Sequence, residues 1–194
     1  MPWLPHPPAA SAIPIAAIAI PILRKTGGII LPVCQMVTTP TPEHFRKTMA
    51  ALPTGVTIVT AVGEQGPAGA TANAVCSLSL DPPLMLACLD RGSRTLDVLR
   101  AHGRFGISVL AADQEPMARA FASKAPHTEK FREVGIAEHA TVPILAGSAA
   151  WVACALRDLH EGGDHQIAVG DVLDLGVGQV EPLIWFGGGY RALG

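Results

Sequence analysis

The sequence predicts a mainly β protein with a few short helices, in which six or so strands close into a barrel. A β-branched run, VTIVTAV, fills residues 56–62, and two long strand-like runs occupy most of residues 149–175. The helical patterns between such runs are short, and 20 glycines and 17 prolines divide the chain into brief segments. Closure is expected because it removes exposed strand edges.

The elements of the first half follow in order from about residue 39. A helix begins after Thr41, a plausible cap, and places Phe45, Met49 and Leu52 on one face. The strand at 56–62 is joined by the turn GEQGPAG to a second strand, ATANAVCSLSL, which predicts a β-hairpin. Asp81-Pro82-Pro83 breaks that strand, and a third, buried strand follows as LMLACLD.

The second half repeats this alternation of helices and strands. A short helix, TLDVLRAH, is capped by Ser93 or Thr95 and stops at Gly103, and the strand RFGISVL follows it. A helix then begins near Asp113, and a polar stretch to about Thr141 is expected to be a surface excursion. The runs AAWVACALRDLH and HQIAVGDVLDL, joined by EGGD, and a final PLIWF before a Gly-Gly-Gly-Tyr tail complete the strands.

Length, charge and composition limit the possible functions. The 194 residues suit one domain, and 49% hydrophobic with 15% charged residues excludes disorder for most of the chain. The formal net charge is -2 without a Lys/Arg run, so nucleic acid is not an expected partner.

The N-terminal stretch is expected to be separate from the domain. Residues 9–23 are almost wholly apolar, but Pro14 and Pro21 interrupt them and no basic residue precedes them, so no membrane span is predicted. Met36 directly precedes the first well-patterned helix. We therefore predict that residues 1–38 are a disordered or non-native extension and that residues 39–194 form the domain.

The four cysteines predict no metal or disulfide site. They stand at positions 34, 76, 88 and 154 without a C-x-x-C pair, which indicates free thiols in a reducing, cytoplasmic compartment. The last three lie in apolar strand-like runs and are expected to be buried as small hydrophobic side chains. His160 and His165 have no third ligand in a supporting position, so no metal site is predicted.

Common nucleotide-binding and hydrolase motifs are absent from the sequence, which directs attention to three weaker patches. The first is the segment 90–95, where Ser93, Arg94 and Thr95 open a helix after a buried strand. Free N–H groups, hydroxyls and a guanidinium suit a phosphate there, although the local sequence slightly favours a capped helix with a solvated arginine.

The second patch is the strand 70–80, which carries small and polar side chains where bulky ones would pack better. Such residues let a flat ring, such as a flavin, approach the backbone, but a twisted edge strand with one polar face is an equal alternative. The third patch is Gly163-Asp164-His165, a histidine held at a hairpin mouth by its neighbouring carboxylate. A lone histidine is more often an ordinary surface residue.

Taken in order, these blocks resemble the flavin reductase-like family, the reductase components of two-component flavin-dependent monooxygenases. The resemblance runs from about Phe45 to Leu193 through FRKTMAALPTGVTIVTA, ATANAVCSLSLDPPLMLACLD, SRT, RFGISVL, GGDHQIAVGDV and PLIWFGGGYRAL. Ala74 departs from it, standing where such proteins often carry serine. The family resemblance implies a Greek-key-like, FMN-binding split β-barrel that forms a homodimer, with the flavin near the subunit interface.

The resemblance also assigns site residues. His165 is expected at the nicotinamide-binding face as the catalytic residue. The flavin ring is expected against Thr71, Ala72, Asn73, Ala74 and Ser77, its phosphate end at Ser93, Arg94 and Thr95, and further contacts at Phe121, Lys124, Gly189 and Tyr190.

The implied reaction is hydride transfer from the nicotinamide C4 of NADH or NADPH to N5 of FMN or FAD. The reduced flavin would then pass to a partner monooxygenase. Two alternatives remain: a flavoprotein with a bound prosthetic FMN that acts on another small molecule, and a non-catalytic flavin-binding module.

Overall fold

Strands make up most of the described chain, as the sequence predicts. The structure is a computed structural model that describes residues 20–26, 29–35 and 39–193. The helices are α1 Pro42–Met49, α2 Arg94–His102, α3 Glu115–Ala122 and α4 His127–Lys130. The strands are β1 Ile20–Thr26, β2 Ile29–Gln35, β3 Thr54–Gly55, β4 Thr57–Gly63, β5 Gly66–Ala72, β6 Val75–Leu80, β7 Pro83–Asp90, β8 Arg104–Val109, β9 Ile136–His139, β10 Val142–Leu145, β11 Ala150–Gly162, β12 His165–Val177, β13 Ile184–Phe186 and β14 Gly189–Arg191.

A seven-stranded sheet dominates the fold, with the strand order β5-β4-β8-β11-β12-β7-β6 and every neighbouring pair antiparallel. Its two edge strands, β5 and β6, are consecutive in the chain and joined only by Asn73 and Ala74, so the sheet must curl. No ladder joins β5 to β6 among the described residues, and β3, β13 and β14 form a separate sheet, as do β9 and β10. The prediction of one closed barrel is therefore wrong.

The segment 70–80 is two strands rather than the single strand predicted. β5 pairs with β4 and β6 pairs with β7, at opposite edges of the sheet, so the chain must change partner at Asn73 and Ala74. The preceding turn is also shorter than predicted. Only Glu64 and Gln65 separate β4 from β5, because Gly63 already pairs with Gly66.

Two of the predicted helix ends agree with the capping signals, whereas the predicted cap of α2 is wrong, because the Ser93 side chain makes no capping hydrogen bond. The Thr41 hydroxyl accepts a hydrogen bond from the His44 N–H at 3.1 Å, and α2 ends at Gly103, whose φ of 74° suits glycine. α3 begins at Glu115, two residues after the predicted start. The apolar side chains predicted on one face of the first helical segment, Phe45, Met49 and Leu52, are all exposed.

The region 125–141 is more ordered than the surface excursion predicted for it. It contains α4 and β9, and β9 pairs with β10. Lys130 in α4 is buried, and its ammonium group donates a hydrogen bond to the Phe121 carbonyl at 2.9 Å. Polar composition hid this packing, because a lysine can bury its aliphatic stem while its charged end finds a carbonyl.

The main core lies between α2 and the sheet. Leu96 and Leu99 of α2 pack with Phe105, Ile107 and other buried side chains, and complete burial of such a residue stabilises the fold by about 2 kcal/mol. Cys154 belongs to this core, as predicted. Cys88 is only partly buried, and Cys76 is exposed because it lies on the edge strand β6, so the prediction of a buried Cys76 is wrong.

The antiparallel pair β1–β2 falls inside the predicted N-terminal extension, residues 1–38. The remainder of that extension, residues 1–19, 27–28 and 36–38, lies outside the described residues. The division at residue 39 stays a prediction. Within the described chain, no helix has the length and apolar character needed to cross a membrane.

Candidate active site

The β11–β12 turn and the turn between β7 and α2 meet at one end of the seven-stranded sheet. They carry two of the predicted patches, residues 163–165 and residues 90–95. The register of β12 and β7 places His165 opposite Asp90, the last residue of β7. The Arg91 N–H donates to the Asp164 carbonyl at 3.1 Å, and the Ser93 N–H donates to the Asp90 carbonyl at 3.0 Å. The β11–β12 turn is thereby fixed beside the start of α2, although some 70 residues separate them in sequence.

A cavity of about 170 Å³ lies at this junction, and we call it the histidine cavity. It brings together predicted residues from three separate segments. Its walls are Ala70, Thr71, Ala72, Asn73, Ala74, Cys88, Leu89, Asp90, Ser93 and His165.

The side chain of His165 is held by its neighbour. Its Nδ1 lies 2.7 Å from Asp164 Oδ1, which confirms the predicted contact between the two residues. The hydrogen bond to His165 and its nearby charge lower the pKa of the Asp164 carboxyl, so this carboxylate stays ionised near neutral pH. With Nδ1 engaged, Nε2 is the ring atom available to a ligand.

The segment 71–74 forms a fixed wall of small residues. The Thr71 hydroxyl donates to the Ala118 carbonyl at 2.7 Å, and Asn73 Nδ2 donates to Thr54 Oγ1 at 3.2 Å. The Ala74 carbonyl accepts from the Cys88 N–H at 2.9 Å. These bonds hold the corner between β5 and β6, and its alanines leave room for a flat ring against the backbone.

A second cavity, of about 270 Å³, opens against the same segment, and we call it the tyrosine cavity. Thr71, Ala72 and Asn73 line both cavities, whereas Val56, Trp185 and Tyr190 line only this one. The Trp185 and Tyr190 rings meet edge to face at 4.9 Å, and the Arg119 guanidinium lies 4.8 Å from the Tyr190 ring centre. The C-terminal hairpin β13–β14 thus supplies an aromatic wall to the predicted ring site.

The three residues at the start of α2 have different environments. Ser93 lines the histidine cavity, and its side chain makes no capping hydrogen bond. Arg94 is exposed, and its Nη2 donates to the carbonyls of Lys124 and Ala125 at 3.2 and 2.7 Å. Thr95 is buried, and its Oγ1 has no hydrogen-bond partner among the described residues.

The other predicted site residues are less closely grouped. Gly189 precedes Tyr190 in β14 and pairs with Phe186. Ser77 is exposed on β6 and lines neither cavity. Lys124 is exposed and contributes its carbonyl to Arg94, whereas Phe121 is a core residue whose ring meets that of Phe131 at 4.8 Å. The structure brings none of Ser77, Phe121, Lys124 and Gly189 to the walls of the two cavities.

Sequence reasoning missed several residues of these walls. Cys88 and Asp90 both line the histidine cavity, and their spacing of two along β7 places them on one face of the strand, a signal that was available. Asp90 Oδ1 also accepts from the Gly92 N–H at 2.7 Å and shapes the turn before α2. Val56 carried no such signal, because nothing in its local sequence separates it from a core residue.

Comparison with known proteins gives a consistent result. The family model of the flavin reductase like domain matches residues 49–194. A curated relative, the NADH-dependent flavin reductase of a Rhodococcus species, is 38% identical over 156 residues, covering 79% of this chain and 87% of its own length. The reductase subunit HsaB of a flavin-dependent monooxygenase from Rhodococcus jostii is 35% identical over 154 residues, covering 78% of both chains.

Solved structures agree in fold as well. The NADH:FAD oxidoreductase SgcE6 of Streptomyces globisporus superposes with a TM-score of 0.76 at 36% sequence identity. The match covers 84% of this chain and 99% of that structure.

Proposed function

Because the chain belongs to the flavin reductase-like family, we propose that it is an NAD(P)H-dependent flavin reductase that supplies reduced FMN or FAD to a partner monooxygenase. The observation that carries this proposal is the histidine cavity, where His165, Ser93 and the segment 71–74 meet. A similar chain is itself named as the reductase subunit of a monooxygenase, which supports the partner.

The residues present fit a flavin. The alanines of the segment 70–74 give the ring a flat approach to the backbone, and Tyr190 adds an aromatic wall beside it. Ser93 and Arg94 offer a hydroxyl and a guanidinium at the start of α2 for the phosphate end. The buried Thr95 Oγ1, which has no hydrogen-bond partner within the described chain, adds a polar atom at the same helix end.

Further flavin contacts are proposed at Gly189, which precedes Tyr190 in β14, and at Lys124, whose carbonyl accepts from Arg94. Ser77 and Phe121 are weaker members of the set, because Ser77 lies on the edge strand and Phe121 in the core.

The chain's own residues act by position and charge. When bound, the flavin supplies the hydride acceptor and the nicotinamide supplies the hydride. The corner at 71–74 and the ring of Tyr190 fix one ring, and His165 orients the other, which lowers the entropic part of the barrier. Asp164 accepts from the Nδ1–H of His165 and holds the imidazole in place, so the neutral ring presents Nε2 as an acceptor toward the nicotinamide.

We propose that the fold is a split β-barrel that assembles as a homodimer. Apolar side chains stand exposed along β12 (Leu173, Leu175 and Val177) and along β6 (Leu78 and Leu80). Leu173 and Leu78 lie at bulges of these strands, and exposed apolar surface of this kind is typical of protein interfaces. A solution mass of twice 20.1 kDa by light scattering is expected, and a mass of one chain would contradict the dimer.

A cytoplasmic location agrees with the three free cysteines of the described chain. We also propose that residues 1–38 are an extension to the domain. Intact mass of protein produced from its native promoter tests whether Met1 or Met36 is the start, and a mass that includes residues 1–35 would contradict an unused upstream start.

The test of the proposed function is oxidation of NADH by purified protein, with and without added FMN or FAD. Oxidation that requires free flavin and saturates with it is expected. Oxidation by a yellow protein without added flavin would indicate a prosthetic group instead, and no oxidation in either case would indicate a non-catalytic flavin-binding module.

A further inference from the structure

Lys130 is a buried, basic side chain that the proposed mechanism does not use. Only 8% of its surface is exposed, and it lines neither the histidine cavity nor the tyrosine cavity. Its Nζ donates a hydrogen bond to the Phe121 carbonyl at 2.9 Å and lies 6.0 Å from the centre of the Phe121 ring. Phe121 belongs to the last turn of α3, where carbonyls lack partners within the helix and a cation is favourable. Lys130 therefore fixes this end of α3.

A short stretch of chain joins this helix end to Arg94, and we call residues 121–125 the connecting segment. The Lys124 and Ala125 carbonyls accept hydrogen bonds from Arg94 Nη2 at 3.2 and 2.7 Å. Between the two ends, Ser123 Oγ accepts from the Ala125 N–H at 3.2 Å and shapes the turn of the chain. Side chains from α4 and α2 thereby hold the connecting segment at both ends.

Charge couples the two ends as well. Burial, and then the positive charge of Arg94, lower the pKa of Lys130. Burial and the charges of Arg94 and Lys130 likewise lower the pKa of His127. In the part of the chain that the structure describes, no carboxylate forms an ion pair with Arg94 or Lys130. The carbonyls of the connecting segment are therefore the groups that hold these two cations near each other.

The bonds to the connecting segment also set the direction of the Arg94 guanidinium. A guanidinium is planar and carries five N–H donors. Both bonds to the segment come from Nη2, whereas the donors on Nη1 and Nε bind none of the described residues. Anchoring of Nη2 therefore fixes the plane in which Nη1 and Nε are offered to a phosphate at the start of α2.

The body of α3 is held independently of Lys130. Ala118 is buried, and its carbonyl accepts from the Thr71 hydroxyl at 2.7 Å. The Phe121 ring packs in the core, edge to face with the ring of Phe131. Loss of the Lys130 side-chain donor is therefore expected to loosen the connecting segment while the corner at 71–74 stays in place.

We propose that Lys130 is a positioning residue for the flavin phosphate: it holds the connecting segment, which in turn holds the Arg94 guanidinium, and it does not touch the flavin. This inference rests on the proposed function, in which Arg94 binds the phosphate end of the flavin. Affinity for the phosphate then depends on Lys130, whereas affinity for the flavin ring does not.

The test compares FMN with riboflavin, which lacks the phosphate. Lys130→Met keeps most of the aliphatic stem and removes the amino group. Titration followed by flavin fluorescence gives both dissociation constants without requiring turnover. The Kd for FMN is expected to rise about tenfold, the value of one charge-assisted hydrogen bond, while the Kd for riboflavin is unchanged. Equal weakening of both flavins, or weakening of neither, overturns the inference.

A double-mutant cycle shows whether Lys130 acts through Arg94. In protein that already carries Arg94→Ala, Lys130→Met is expected to raise the Kd for FMN no further, because both substitutions remove the same contact. Additive losses would overturn the inference. Arg132→Met, which removes a cation at a nearby exposed position, is the matched control and should change neither dissociation constant.

Ser123→Ala keeps the inference testable if Lys130→Met does not fold. Ser123 is exposed, and the substitution removes its hydrogen bonds to the Ala120 carbonyl and from the Ala125 N–H. A rise of about threefold in the Kd for FMN alone is expected, and in that case an unchanged Kd, or an equal rise for riboflavin, contradicts the positioning role. Absence of NADH oxidation by the unmodified protein would instead overturn the proposed function and leave these binding constants readable.

Discussion

His165 lies directly opposite Asp90 in the antiparallel pair of β12 and β7. Asp90 ends its strand and shapes the turn into α2, while His165 begins its strand after a tight turn. Register alone therefore places an imidazole beside a helix start where an anion can bind. This juxtaposition connects the proposed nicotinamide and flavin phosphate sites.

Replacement of His165 by alanine is expected to lower kcat/KM for NADH-dependent flavin reduction while sparing flavin affinity. The reason is loss of one preorganised polar contact that orients the nicotinamide, which predicts a fall of at least about tenfold. The measurement is steady-state oxidation of NADH, paired with flavin titration. His160→Ala, at an exposed position of β11 outside the cavities, is the control, and unchanged rates in His165→Ala would remove His165 from the mechanism.

Replacement of Arg94 by alanine is expected to weaken FMN but not riboflavin, which lacks the phosphate. A charge-assisted hydrogen bond predicts a rise of about tenfold in the Kd for FMN. Because Arg94 also holds the carbonyls of Lys124 and Ala125, a purely structural role would weaken both ligands equally. Arg91→Ala removes a guanidinium from the same turn, one that pairs with Glu161, and should leave both affinities unchanged.

Gly170→Ala is expected to destabilise the protein strongly. A Cβ at this position of β12 would lie 2.6 Å from Phe105 Cζ and 2.8 Å from Cys154 Cβ, so core side chains would have to move. Overpacking of this kind lowers the free energy of unfolding by about 1–3 kcal/mol. Urea denaturation measures it against Gly55→Ala, where a Cβ meets nothing within 4 Å; equal midpoints for the two variants would contradict the packing account.

Stability at alkaline pH is expected to depend on Cys154. Burial is the main cause that raises the pKa of its thiol from 9.0 to about 12 in the folded state. Between those values the unfolded chain has lost the proton that the folded chain keeps, so the free energy of unfolding falls as pH rises, by up to about 1.4 kcal/mol per pH unit. Cys154→Ala should remove this slope in denaturation curves, and an unchanged slope would show that other groups cause it.

The three described cysteine thiols are expected to react with an alkylating reagent at different rates, because they differ in exposure. Cys76 is exposed on β6 and should react first with iodoacetamide in the folded protein, whereas the buried Cys154 should react only after unfolding. Peptide mass mapping after a short exposure measures this order. Early modification of Cys154 would mean that the core opens locally under native conditions.

Local sequence was sufficient where a segment's structure depends on its own residues. The long hairpin of β11 and β12, the stop of α2 at Gly103 and the cap at Thr41 were all predicted, because β-branched periodicity, a left-handed glycine and a hydroxyl cap act within a few residues. Local sequence was insufficient at 70–80. Its strand propensity is continuous, and only competition between two sheet edges divides it at Asn73 and Ala74.

The sequence by itself determined that the chain is mainly β, and it placed His165, Ser93 and the segment 71–74 among the candidate site residues. Only the tertiary structure decided which candidates meet, because strand register joins residues that are distant in the chain. It brought His165 to Ser93, buried Thr95 and Phe121, and left Ser77 on an edge strand. It also formed a cavity of about 860 Å³ along α2, whose walls come from three segments that share no sequence pattern.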